Sequence, residues 1–594
     1  MSKPSALALD GPDPRLHPDA QDKYTKPQLR KLHDPSVTFE EYHYYALQTR
    51  AEETSQIYGP TTKTTGILSV LLPSKSAKGA NISGTGSDQD GPEKDGIKAN
   101  ISAPSSHTTV SDEEWAAANR ALRTASRGAI FYLTTTDILG PFGLPFAFAT
   151  MGWGPGVALY TVFAGMAGYS GYLLYQVFLG LDSYQFPLKS YGDLGYRLGG
   201  NWLRFLFNIL QGIQLLLNVG LIVISNGEAL SQATKFRLCF IVCCLVWTLV
   251  GFFVGQIRTL QKFGWLANAA VWLNLMCMFI TMGAAAHTLP NYRGASQAAG
   301  ATFNNGISIT PSVAGIYPPV MTTGGLPDTS NFIGSVSGAM QAIFAYGGAM
   351  LFPEFMSEMK RPKDFLTAMW AAQAFIYVVY MVYGLFMYSQ QGQYSVNPSY
   401  LGIGPYNLQT AGNVFAMLSA VIAAALYGNI GIKVLYTNVF VEIFRAPPLT
   451  TTPGKIAWAA LIPIYWSIAF VVAAGIPNFS GLTSVVSAFC ILHFTYTFPP
   501  LLSVLYLSRR DALLNGETGF DPATGAIRRQ DSGLRRFMRG FLGRNIVWNV
   551  LNVLYFLGAL CLGALGAYSA IESLVSAFAE NTTSSFVCKS PLDG

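Results

Sequence analysis

Eleven windows of roughly twenty mostly apolar residues, the length that crosses a bilayer as a helix, recur along this 594-residue chain. They fall near 128–149, 154–181, 203–226, 237–255, 264–286, 331–356, 366–388, 409–432, 456–475, 481–507 and 546–570. No other feature narrows the fold so far, because in hydrocarbon a segment must satisfy its backbone polar groups internally, and a helix does so. Composition points the same way: 51% of the residues are hydrophobic and 12% charged, about half the charged share of an ordinary soluble domain. The expected class is an all-α integral membrane protein in a lipid bilayer. The excess of six positive charges is scattered through short loops and is no nucleic-acid footprint.

Charge fixes the expected orientation. With a cytosolic N-terminus, the inside loops hold Lys189, Arg197, Arg258, Lys262, Lys360, Arg361, Lys363, Arg445 and Lys455, and the loop at 508–545 adds eight arginines. Outside segments hold only Lys235, Arg237, Arg293 and Lys589. The positive-inside rule then predicts a cytosolic N-terminus and an extracellular C-terminus.

The expected divisions are a mostly disordered cytosolic tail at 1–110, a lead-in helix with five spans at 111–286, and an extracellular loop at 287–330. A second set of five spans at 331–507, the basic cytosolic loop at 508–545, the eleventh span at 546–570 and an extracellular tail at 571–594 complete the chain. Within the first tail, Val37 to Glu53 has the makings of a short helix, and Ser111 with Glu114 forms a capping box for the lead-in helix. Asn581 opens a glycosylation sequon in the outer tail. Cys239, Cys243, Cys244, Cys277, Cys490 and Cys561 lie in or at the ends of apolar segments and read as small packing residues. No spacing suits a metal, and no cofactor is expected.

The first window is not a plain helix. From Asp137 to Pro145 it holds an acid, two glycines and two prolines within nine residues. Pro141 removes a donor and clashes with the preceding turn, and Gly140 and Gly143 ease departure from helical geometry. A spanning helix broken in this way is tolerated where the freed groups line a polar cavity. The sixth window is interrupted too, by Gly347-Gly348 and Pro353, and it carries Glu354. Breaks five spans apart are matching positions if spans one to five and six to ten are two halves of an inverted repeat, and such a pair points to a substrate site at the membrane midplane.

The amides that start the second half-helix, around Gly140 to Gly143, would present positive dipole to a carboxylate, and Thr136, Gly140, Pro141, Phe142 and Gly143 are the expected substrate-binding residues of this break. Freed carbonyls of Phe344, Ala345 and Tyr346, beside Gly347, would accept hydrogen bonds from an ammonium group. A ligand with both groups a few ångströms apart is an α-amino acid, and Phe142, Phe344 and Tyr346 would bound an apolar side chain.

Leu139-Gly140-Pro141-Phe142-Gly143-Leu144-Pro145-Phe146-Ala147-Phe148 with Gly152-Trp153-Gly154-Pro155-Gly156 resembles the first-span signature of the amino acid/auxin permease family. Tyr191-Gly192-Asp193-Leu194-Gly195-Tyr196 supports that resemblance, and Phe344-Ala345-Tyr346-Gly347-Gly348, with Pro353-Glu354 and Glu358 to Phe365, is most similar to its fungal neutral amino-acid permeases. The resemblance covers roughly 110–575 and implies a LeuT-like fold of two inverted five-helix repeats plus one helix, and amino-acid symport. Ile138 stands where the family often has the first glycine of Gly-x-Gly, so the backbone there is expected to be less unwound.

Sodium coupling in that fold usually uses a hydroxyl pair on span eight, and this span offers Ser419 with Lys433 near its inner end. The expected driving ion is therefore the proton, with Asp137, Glu354 and His493 as intramembrane ionisable groups and Lys433 as a fixed charge. Gln211 and Asn218 share a face of span three with Asn208, Gln214 and Ser225 and are expected along the pathway. The sequence thus predicts a plasma-membrane proton symporter importing neutral amino acids, not an enzyme. An amino-acid-sensing receptor on the same scaffold and a vacuolar exporter are the alternatives.

Overall fold

The computed structural model describes residues 33–55, 123–257, 263–298, 303–304, 307–313, 315–324, 332–441, 446–447, 452–476, 478–514, 517, 519–579, 586 and 588–590. Residues 111–122 of the expected lead-in helix and the sequon at Asn581 lie outside the described residues. The helices follow the apolar windows. In chain order they are α1 (Phe39–Ser55), α2 (Arg127–Ile138), α3 (Leu144–Met151), α4 (Trp153–Leu181), α5 (Tyr191–Ala233), α6 (Phe240–Val254), α7 (Phe263–His287) and α8 (Tyr292–Ala298). Then come α9 (Phe332–Ala345), α10 (Phe352–Glu358), α11 (Phe365–Gln391), α12 (Tyr406–Leu435), α13 (Thr452–Gly475), α14 (Phe479–Val486), α15 (Phe498–Leu514), α16 (Gly533–Phe541) and α17 (Ile546–Ala579). One two-stranded antiparallel ribbon, Phe303–Asn304 with Ile307–Ser308, sits in the loop after α8.

Eight of these segments are long and apolar enough to cross a membrane: α4, α5, α7, α11, α12, α13, the α14–α15 run and α17. α6 is a shorter apolar helix. The two remaining windows, the first and the sixth, are composite: α2 joined to α3 and α9 joined to α10. Proline sets both joints, standing at the start of the Pro141–Gly143 3₁₀ turn and of α10, where a missing N–H costs nothing. Leu139 and Gly140 leave helical geometry in the first joint, and Gly348 does so in the second.

Some boundaries differ from the expected ones. α5 begins at Tyr191, not near 203, because a Ser190–Asp193 capping box starts it and Gly200, at φ 75°, kinks it. A positive φ of that size suits glycine alone, so the turns before Gly200 run in a different direction from the rest. α15 and α17 run past their apolar windows to Leu514 and Ala579.

The core forms where α12 packs on α5 and α7, α2 on α7 and α11, and α3 on α9 and α11. The loops gather at two faces. On one, α1 lies against α4, and Arg123 donates to both oxygens of the fully buried Asp182, at 2.8 and 2.7 Å, while Arg50 donates to its Oδ2 at 2.8 Å. Glu40 meets Arg529 and Arg536 there, and Ala125 pairs with Glu358 and Lys360. On the other face, Phe240 N–H donates to the Cys588 carbonyl, Phe586 N–H to Ala474 and Trp153 N–H to Thr323. Cys239 and Cys588 form a disulfide, which corrects the reading of Cys239 as a packing residue. Cys239 is the residue just before α6, at a helix end that the tail can reach.

Candidate functional site

The two breaks face each other across a cavity of about 180 Å³, room on the order of a dozen water molecules. Its wall takes Thr136, Asp137, Ile138, Leu139, Gly140, Phe142 and Gly143 from the first break and Gln341, Phe344, Ala345 and Gly347 from the sixth segment. α5 adds Asn218 and Ser225, α7 adds Asn274, and α12 adds Ser419 and Tyr427. Among the described residues, Asp137 is the one lining residue with an ionisable acid or base side chain of the Asp, Glu, Lys, Arg or His type.

The break in the first segment does not leave its backbone open, since buried polar groups find partners. The Tyr427 hydroxyl donates to the Asp137 carbonyl at 3.0 Å, and Asn274 Nδ2 donates to the Leu139 carbonyl at 2.6 Å. Tyr380 of α11 donates to the carbonyls of Ile138 and Ala345 and accepts from the Gly140 N–H. The Phe344 carbonyl holds the Gly347 N–H at 3.1 Å. The expected open carbonyls of the sixth segment are therefore partly engaged within the protein.

Ile138, in the place of the family's first glycine, is accommodated from the other side. A Cβ at Gly348 would lie 2.4 Å from Ile138 Cγ1 and 2.8 Å from Asp137 Oδ2. The bulk gained on one break is given up on the other.

The remaining expected residues fall elsewhere. Pro141 is buried behind the wall. Tyr346 turns away from the cavity and packs its ring 5.3 Å from Tyr380 and 6.0 Å from Tyr160. His493 contacts Thr497, stacks on Phe498 and lies under Gly563 of α17, away from the cavity wall. Lys433 is half-buried near the end of α12, in electrostatic reach of Glu358. Glu354 Oε1 accepts from Gln211 Nε2 at 2.7 Å and from the Tyr191 N–H at 3.4 Å. Among the described residues no ion pair ties Glu354 to Lys360 or Arg361, and the buried Glu354 Oε2 and Asp137 Oδ2 have no hydrogen-bond partner. Thr136 and Ser419 spend their hydroxyl protons on the Ala267 and Ala270 carbonyls of α7, at 2.8 and 3.0 Å.

A multi-pass helical protein with two spanning segments broken on either side of one polar cavity has the build of a membrane transporter. The chain belongs to the transmembrane amino acid transporter protein family, whose model matches residues 123–512, from just before α2 to the last turn of α15. Among curated relatives, the N amino acid transport system protein of Neurospora crassa is 23% identical over 390 residues, 64% of this chain and 76% of that one. A transmembrane transporter of Gibberella moniliformis is 23% identical over 314 residues, 53% of this chain, and the match spans 61% of its own length. Among solved structures, Mhp1, a nucleobase-cation-symport-1 family transporter, aligns with a TM-score of 0.41 at 14% identity, over 79% of this chain and 96% of that one. A Na⁺-coupled sialic acid symporter aligns with a TM-score of 0.38 at 10% identity, over 78% and 92%.

Proposed function

We propose that this protein is a secondary transporter that carries neutral amino acids into the cell across the plasma membrane, driven by the proton gradient. The observation that carries the reading is the composition of the cavity wall: two helix breaks, carboxamides and hydroxyls, and Asp137 as the one acidic side chain among its described residues. Among the described residues of the wall there is no lysine or arginine to meet an acidic side chain. The substrate carboxylate faces the start of the second half, the Pro141–Gly143 turn leading into α3, whose dipole suits an anion. The ammonium faces the Phe344–Ala345 end of α9, since a carbonyl already holding one hydrogen bond keeps a second lone pair. Phe142 and Phe344 flank the side chain.

Alternating access moves the first five spans against the second five, taken as an inverted repeat, around this point. Proton coupling is favoured because α12 brings one aliphatic hydroxyl, Ser419, to the described wall, where sodium coupling in this fold would use a pair. Asp137 and Glu354 each keep one buried oxygen open and are the carriers. The arginine-rich face around Asp182 is read as cytosolic, and the disulfide face, with the tail that bears Asn581, as extracellular, where thiols oxidise.

The test is uptake of labelled leucine and phenylalanine in permease-deficient yeast, at acidic and neutral pH, with and without sodium and an uncoupler. Saturable uptake that rises in acid, ignores sodium and collapses with uncoupler is expected. Asp137→Asn should lose the acid stimulation and fall by about tenfold or more, a barrier change of about 1.4 kcal/mol. Surface-resident protein that takes up neither amino acid would overturn the reading, and sodium-dependent uptake would overturn the choice of ion.

A further inference from the structure

One side chain, Tyr380 of α11, touches the backbone of both breaks. It is fully buried. Its hydroxyl donates to the Ile138 carbonyl, donates to the Ala345 carbonyl at 2.8 Å and accepts from the Gly140 N–H at 3.0 Å. A phenol has a single hydrogen to donate, yet two carbonyls from two different segments converge on it. The hydrogen must be shared, so a bond that strengthens toward the first break weakens toward the second. The third bond fixes the hydroxyl through Gly140, which with Leu139 makes the non-helical joint of the first segment. These are backbone groups of the cavity wall, where Ile138, Gly140 and Ala345 all appear.

We propose that Tyr380 is the positioning residue that holds the two breaks in register, so that the substrate meets both at once. It rests on the reading of the cavity as the amino-acid site. Tyr380 is not on the wall itself, and it acts through the backbone it holds. Without the hydroxyl, Ile138 and Ala345 lose their shared donor and Gly140 its acceptor, and the substrate must order both breaks as it binds.

Preorganisation of this kind appears in affinity, whereas a residue that only supports the fold would change the amount of protein and leave affinity alone. The test is equilibrium binding of labelled leucine and phenylalanine to purified full-length protein. Tyr380→Phe, which removes one oxygen and keeps the ring, should raise Kd about tenfold or more while the protein stays monodisperse. Tyr377→Phe is the control: its hydroxyl, one turn away on α11, bonds Thr161 on an exposed surface, and its Kd should match wild type. A wild-type Kd in folded Tyr380→Phe would overturn the proposal. If that variant does not fold, 3-fluorotyrosine at position 380 keeps the ring and makes the hydroxyl a stronger donor and weaker acceptor. A shifted Kd then supports the proposal and an unchanged one overturns it. Wild-type protein that binds neither amino acid would remove the site reading and this inference together, and is told apart because every variant then behaves alike.

Discussion

At Gly348 a hydrogen in place of a methyl lets the two breaks meet. A methyl group there would stand 2.4 Å from Ile138 Cγ1, and overpacking a tight core costs about 1–3 kcal/mol. Gly348→Ala should therefore lower the melting temperature by a few degrees and cut uptake per surface molecule several-fold, and adding Ile138→Ala should recover part of both. A Gly348→Ala protein that melts and transports like wild type would contradict the packing. The positions of the breaks were legible because glycine and proline act locally, through φ and a missing N–H. Tyr380, Asn274 and Tyr427 were not, because each shares its helix with other polar residues and lies 242, 135 and 290 residues from the first-break carbonyl it serves. Nor was the direction of Tyr346, since an unwound backbone no longer obeys the helical period that predicts facing.

Helix α1 shows what element-level reading could and could not find. The tyrosine-rich island from Val37 to Glu53 indicated a short helix, and α1 covers Phe39–Ser55. Its docking was not foreseen, because its partners Asp182, Lys363 and Arg529 are 132, 313 and 489 residues from the groups they meet. At the centre of that contact, burial alone would raise the Asp182 carboxyl. Arg123, by charge and hydrogen bond, and then Arg50 hold it below the ordinary carboxylate range. A depressed pKa means a stabilising contribution that is full above the unfolded value, about 3.9, and is lost as pH falls through the folded one. Asp182→Asn leaves Arg123 buried without its counter-charge and should cost about 3–5 kcal/mol. In thermal melts the gap between wild type and variant should hold constant through neutral and mildly acidic pH and close only below about pH 4. A gap that closes near neutrality would show that another group is responsible.

The whole molecule was the most legible level. Windows long enough to cross a bilayer set the number and order of the helical segments, and the two Gly/Pro interruptions marked the first and sixth. The Cys239–Cys588 bond was missed because it joins residues 349 positions apart, and no local pattern predicts such a pairing. The match of the family model to residues 123–512 fixes the class, and the cavity between the breaks gives that class a place to work. Where the substrate sits is best tested by cysteine protection. Ala423 lies on the cavity wall, so a small thiol reagent should modify Ala423→Cys well above the wild-type background. Saturating leucine or phenylalanine, whichever the protein takes up, should slow that modification at least several-fold, and glutamate should not. A transported amino acid that leaves the rate at Ala423→Cys unchanged would place the site somewhere other than between the two broken helices.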